Sequence, residues 1–276
     1  MRRLALCFAL LALLLSACGG EGEGQPTSTA TPRPTRTPSA TPTKVPTSTP
    51  TLTPVPPPTD TPEPREPPLG YAEVIRRGSG MSVVLTFDAG SDTGFAAQIL
   101  DTLKAEHITA AFGMTGQWAE RNPDLLRRIV AEGHQLINHS YDHASFTGLS
   151  SRQLPLSQQQ RWAEVDRTEE IVQQIAGAST KPYFRPPYGD YDDLVNADVF
   201  ARGYTYNMMW SVDSAGWRGI SADEIVETCL SEVQPGAIII MHVGSASQDA
   251  NALPRVIDGL RDRGYSFVPL SAFAPP

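Results

Sequence analysis

The chain has 276 residues, a formal net charge of −8, 25 prolines and 3 cysteines. This acidic balance argues against a nucleic-acid binder or a protein that binds anionic surfaces, where basic patches are expected. Beyond residue 18 the sole cysteine is Cys229, which excludes a disulfide framework.

The N-terminus points to a compartment. Arg2 and Arg3 precede an apolar run from Leu4 to Leu15, about 12 residues, too short for a membrane span and suited to a signal-peptide core. Leu15-Ser16-Ala17-Cys18, followed by Gly19-Gly20, resembles a bacterial lipoprotein cleavage box. The resemblance implies a signal peptide over residues 1–17, lipidation of Cys18, and an extracytoplasmic protein anchored to a bacterial membrane in the cell envelope. The alternative is an ordinary secretory signal that holds a cysteine. Residues 18–70 then read as a lipidated N-terminus and a disordered stalk. From Gln25 to Pro68 proline and threonine dominate without apolar period, so no core can form and extended polyproline II is favoured. At ~3.1 Å per residue the stalk reaches on the order of 100 Å.

Residues 71–276 suffice for one domain with a sizeable core. Ser82 to Phe87 is a β-branched, apolar run ending at Asp88. Ala96 to Glu106 is helix-like, with Ile99, Leu100 and Leu103 on one face, and Thr109 to Met114 reads as a second strand. Pro123 to Glu132 has helical spacing and is closed by Gly133; Gln135 to Asn138 is a short strand. A long helix is expected from Gln158 to Ala176, a strand from Lys181 to Arg185, and a helix from Asp192 to Arg202. Strands at Tyr204–Trp210 and Ala237–Met241 bracket a helix at Ala222–Glu232, before a helix at Pro254–Arg263 and a final strand at Ser266–Pro269.

About seven strands separated by helices predict an α/β fold with a parallel sheet, most simply a (β/α) barrel, distorted from the regular eight-fold form. In such barrels function sits where strands end. Asp88, His139, Arg185, Asp213 and His242 all fall there, so five polar residues converge on one mouth.

His139-Ser140-Tyr141-Asp142-His143 puts two imidazoles four residues apart, a spacing that can bind one metal ion through neutral nitrogens. Thr86-Phe87-Asp88-Ala89-Gly90 offers a carboxylate able to act as a base on water, or simply a turn aspartate. Phe184-Arg185-Pro186-Pro187-Tyr188-Gly189 is a stiff loop in which Arg185 can hold a carboxylate by two hydrogen bonds. His242, after an apolar run, can be a general acid.

Taken in this order, and with Glu132 to Ser140 as the lead-in to the histidine motif, these segments resemble the polysaccharide deacetylase family, carbohydrate esterase family four, the NodB-homology domain. The resemblance covers Val83 to about Leu270. It implies that His139 and His143 ligate a divalent metal, zinc with cobalt or nickel as alternatives. It further implies that Asp88 is the base, that Arg185 orients Asp88, and that the Tyr188 amide helps stabilise the oxyanion. His242 would protonate the leaving amine, and Trp217 and Ile240 would border the pocket for the acetyl methyl. The implied function is a metal-dependent hydrolase that removes N-acetyl groups from a surface polysaccharide such as peptidoglycan or another N-acetylglucosamine polymer; no protein partner is implied.

Two departures matter. The family's second aspartate, the third metal ligand, is Ala89 here; Asp92 is expected to substitute, with Asp142 as the alternative. The aspartate beside the last tryptophan is Gly216, and the residue after His242 is Val243; Asp213 is left to tune His242. These losses keep a second reading open, a catalytically degenerate sugar-binding surface lipoprotein. An esterase for O-linked acetyl groups is a close variant of the first reading.

Overall fold

The computed structural model describes residues 70–90 and 92–276. The expected signal peptide, the expected lipidation site Cys18 and the expected stalk up to residue 69 lie outside the described residues. Among the described residues no helix is long and apolar enough to cross a membrane.

In chain order the elements are β1 (Glu73–Ile75), β2 (Ser82–Ala89), α1 (Ala96–Ala105), β3 (Ala111–Met114), α2 (Gly116–Arg121), α3 (Pro123–Ala131), β4 (Gln135–Asn138), α4 (Gln158–Ala176), β5 (Tyr183–Phe184), α5 (Asp193–Phe200), β6 (Tyr206–Met208), β7 (Val212–Asp213), α6 (Ala222–Glu232), β8 (Ala237–His242), α7 (Asp249–Asp262) and β9 (Ser266–Phe267). The strands run β1-β6-β5-β4-β3-β2-β8-β7, every pairing parallel, and β9 pairs with the start of β2. This is the parallel, distorted (β/α) barrel that the alternation predicts.

Side chains along a strand alternate between two faces, and the sequence uses both. Val83, Leu85, Phe87 and Ala89 of β2 join Ile99 and Leu103 of α1, Leu126 and Ile129 of α3, and Leu253, Val256, Ile257 and Leu260 of α7 in one core between sheet and helices. Val84, Ala111, Ile137, Tyr183, Met208 and Ile238, from six strands, form a second core on the other face. Each fully buried aliphatic side chain here contributes about 1.5–3 kcal/mol.

Helix starts follow side-chain chemistry. Ser157 and Gln160 form a capping box at the start of α4, and Ser221 and Glu224 do so for α6. Gly177, at φ 62°, closes α4 in the left-handed conformation.

The described residues form nine strands where the alternation predicts about seven. The additional β1 and β7 are three and two residues long, too short to show a period. The expected strand Tyr204–Trp210 shrinks to β6, so Asp213 sits on β7 rather than in a loop after its neighbour. The last helix starts at Asp249, not Pro254; the proline lies inside it and forgoes one helical hydrogen bond.

Candidate active site

The C-terminal ends of the strands surround a cavity of about 770 Å³. Asp88, Ala89, His139, Asp142, His143, Tyr188, Trp210, Asp213, Trp217, Ile240 and His242 line it.

Asp88, at the end of β2, is held from below. Arg185, which follows β5 and is fully buried, donates from Nη1 to Asp88 Oδ1 at 2.6 Å and from Nε to the Met208 carbonyl at 2.7 Å. Burial alone pushes the Asp88 carboxyl up. The Arg185 charge and the neighbouring imidazoles outweigh that and hold it below its ordinary value, so the group is an ionised base at neutral pH.

The two imidazoles are set by the turn after β4. Asn138 anchors it: Nδ2 donates to the Val165 carbonyl at 2.9 Å and to Tyr204 Oη at 2.6 Å, while Oδ1 accepts the Ser140 N–H. Ser140 and His143 take left-handed backbone, φ 63° and 67°, conformations uncommon outside glycine and concentrated at functional sites. The Ser140 hydroxyl oxygen accepts the His143 N–H at 3.0 Å, which closes the turn. The rings of His139 and His143 lie 4.8 Å apart, edge to face.

His139 Nδ1 lies 2.9 Å from the Arg185 carbonyl, which can only accept, so Nδ1 carries the proton and Nε2 is free. Nε2 stands 3.4 Å from Asp88 Oδ2. Burial holds His139 below its usual value and lowers His143 to about 3, so both rings are neutral. A neutral imidazole lone pair facing a carboxylate oxygen, with a second neutral imidazole beside it, fits a divalent cation. Ala89, buried and packed among the core side chains, offers no third donor. Among the described residues no cluster of three or more His, Cys, Asp or Glu side chains forms a complete metal site.

Asp92 does not come to this place. Its carboxylate accepts from the Ser245 amide at 2.9 Å and from the Ser245 hydroxyl, and its carbonyl accepts from Trp118 Nε1 at 2.9 Å. It is not among the residues that line the cavity. Serine donors lower its pKa, so the carboxylate is already spoken for locally. Asp142 does border the cavity, with Oδ1 turned into its own loop to accept the Ala144 N–H.

Tyr188 and Trp217 stand at the rim, 55% and 58% exposed. Tyr188 has φ 60° and meets the His143 ring edge-on at 4.5 Å. Trp217 Nε1 donates to Asp213 Oδ2 at 3.3 Å, and Asp213 Oδ1 accepts the Ala215 N–H. Ile240, on β8, is buried against the cavity. His242 ends β8 in register with Asp88. Burial lowers the His242 pKa, but the carboxylates of Asp249, Asp88 and Asp213 outweigh it and raise the value.

Asp249 is the residue that reading the sequence misses. It begins α7, is fully buried, and places Oδ2 3.6 Å from His242 Nδ1. Its signal in the sequence is an acidic residue in the first turn of an amphipathic helix, which an ordinary dipole partner would also give.

The polysaccharide deacetylase family model matches residues 76–207, a stretch that ends before β8. The peptidoglycan-N-acetylglucosamine deacetylase of Bacillus cereus is 35% identical over 192 residues, covering 68% of this chain and 66% of that protein. The chitooligosaccharide deacetylase of Sinorhizobium fredii is 33% identical over 205 residues, covering 70% and 92%. A crystal structure of a peptidoglycan N-acetylglucosamine deacetylase in complex with a hydroxamate-type benzamide superposes with a TM-score of 0.65 at 32% identity, covering 74% of this chain and 92% of that one. With this fold and these relatives, the chain belongs to the polysaccharide deacetylase family of hydrolases, carbohydrate esterase family four.

Proposed function

We propose that the chain is an extracytoplasmic, lipid-anchored enzyme that removes N-acetyl groups from a surface polysaccharide, peptidoglycan or another N-acetylglucosamine polymer. The observation that carries this reading is the convergence on one cavity of an ionised Asp88 seated on Arg185, a raised-pKa His242 at the end of the neighbouring strand, and two neutral imidazoles. The names of the relatives support the substrate class.

An amide is a poor electrophile and its nitrogen leaves only when protonated, so the site needs a base and an acid of different character. Asp88 Oδ2 takes the proton of the attacking water while Arg185 keeps the carboxylate ionised and aimed. The Tyr188 amide donates to the oxyanion as it forms. Trp217 and Ile240 border the acetyl methyl. His242 delivers its proton to the sugar nitrogen, the C–N bond breaks, and acetate and a free amine leave. His139 and His143 would hold a divalent metal, zinc with cobalt or nickel as alternatives, which when bound supplies polarisation of the acetyl carbonyl and a more acidic water.

Ala89 favours a second reading, a catalytically degenerate sugar-binding surface lipoprotein. One experiment separates the two. Acetate release from N-acetylglucosamine oligomers, peptidoglycan and an O-acetylated xylan is measured for the full chain, stripped of metal and reloaded with zinc or cobalt, beside Asp88→Asn. Metal-dependent release from the N-acetylated substrates that Asp88→Asn abolishes supports the deacetylase. Release from xylan alone points to the O-acetyl esterase. Oligomer binding without release supports the sugar binder.

A further inference from the structure

The first turn of α7 carries a carboxylate that the roles above leave unused. Asp249 has 0% exposure. Its Oδ2 accepts the His242 main-chain N–H at 2.8 Å and the Ser247 hydroxyl at 2.8 Å, and its own N–H donates to Ser247 Oγ at 3.0 Å. The same oxygen lies 3.6 Å from His242 Nδ1, one small ring rotation from a hydrogen bond. Both His242 Nδ1 and Asp249 Oδ1 are buried without a hydrogen-bond partner. Buried polar atoms rarely stay unpaired, and the carboxylate oxygen that stands by Nδ1 is Asp249 Oδ2.

Gly216 shows how the carboxylate finds room. A Cβ at 216 would overlap Asp249 Oδ2 and Ser247 Oγ, closer than real Cβ contacts come. Residue 216 adjoins Trp217 at the rim of the cavity. The absence of a side chain at 216 and the presence of a carboxylate at 249 are therefore two halves of one arrangement: the volume that one element vacates, another fills.

We propose that Asp249 is the positioning residue for His242, gripping the Nδ1 side of the ring from behind β8 in the space that Gly216 leaves free, so that Nε2 faces the cavity. This rests on the reading of His242 as proton donor to the leaving amine. Other groups face the ring, but each has another commitment. Asp88, from β2, is bound to Arg185; Asp213, from β7, is bound to Ala215 N and Trp217 Nε1; His139 and His143, from the turn after β4, are neutral. The Cys229 thiol of α6 also feels Asp249, and burial first, then that charge, pushes it up to about 12, so it carries no competing charge. Among the described residues, Asp249 alone places a buried carboxylate within 4 Å of His242 Nδ1, at 3.6 Å.

The test titrates His242 by NMR in the zinc-loaded full chain, reading its midpoint and its tautomer, beside kcat and KM for N-acetylglucosamine oligomers. Asp249→Asn should lower the His242 midpoint by about one unit or more. It should lower kcat about 100-fold with KM little changed. Gly216→Ala, which keeps the carboxylate but displaces it, should act in the same direction. The double variant Gly216→Asp/Asp249→Ala, which returns a carboxylate to the same volume from the other element, should recover much of both. An unchanged His242 midpoint and tautomer in Asp249→Asn overturns the proposal. If that variant does not fold, an unchanged midpoint in Gly216→Ala overturns it instead. Failure of the wild-type chain to release acetate sinks the proposed function, whereas the titration still judges Asp249.

Discussion

The Arg185 guanidinium and the Asp88 carboxylate meet at 2.6 Å although their strands, β5 and β2, are separated in the sheet by β4 and β3. The contact passes over Gly113 of β3, where a Cβ would overlap Asp88 Oδ1 and lie 3.8 Å from Arg185 Nη1. A glycine on the intervening strand thus makes room for a buried ion pair under the base.

That pair makes Arg185 costly to remove. Arg185→Ala leaves Asp88 as a buried charge without its partner, and the expected loss is about 3–5 kcal/mol of stability. Urea unfolding of the two proteins at pH 7 measures it; a loss under about 1 kcal/mol, the range of surface pairs, contradicts the burial argument.

Asn138 links the strand to the turn that holds both imidazoles. Asn138→Ala strands the Ser140 N–H and frees the Tyr204 hydroxyl, with an expected cost of about 1–3 kcal/mol. Zinc affinity should fall with it, because the left-handed turn at Ser140 and His143 loses its anchor. Parallel thermal melts and zinc titrations check both effects.

His139 and His143 are the proposed metal ligands. His143→Ala should weaken zinc binding by more than the about 10–100-fold typical of residues that merely support a ligand. Competition with a chromogenic chelator reads the affinity without any turnover. Equal affinity in the variant removes His143 from the site.

Glu169 on α4 gives the fold an acid-sensitive clasp. Burial raises its carboxyl, but the Ser179 and Thr180 hydroxyls, the Thr180 amide and Gln173 outweigh that and lower it below the ordinary 4.5. A lowered folded-state pKa adds stability that is present above pH 4.5 and lost as pH falls through the folded value. Glu169→Gln should therefore lower Tm at pH 7, by the equivalent of about 1–3 kcal/mol, and lower it less at pH 3. A Tm difference that does not shrink toward acid pH contradicts this.

Much of this architecture is legible before any coordinate is seen, for a physical reason. An apolar strand must end on the first residue that can tolerate the mouth of the barrel, so Ser82–Phe87 announces Asp88 and Ala237–Met241 announces His242. Helices announce themselves by period and caps, as α4 does between Ser157 and Gly177. β1 and β7 escape notice because two or three residues carry no alternation, and their pairing energy comes from the neighbours already in place. Asp92 misleads because spacing along the chain says only that a carboxylate is nearby; Ser245, from the loop after β8, claims it. Asp249 escapes for the converse reason. Its nearness to His242 is made by α7 folding back beneath β8, and no local pattern encodes that return.

The order of the central strands has a consequence for how the enzyme comes into being. β2 sits between β3, its near neighbour in sequence, and β8, so that the Thr86 hydroxyl bonds the carbonyl of Ile239, 153 residues later. A nascent chain that has emerged only through β6 holds Asp88, Arg185 and both imidazoles but lacks His242, and one flank of its middle strand is still open. This long-range pairing of β2 with β8, slow to form because of its loop-closure entropy, is thus the same event that brings His242 beside Asp88. A chain truncated before Ala237 would lack His242 and expose an unpaired central edge, a surface prone to intermolecular strand pairing.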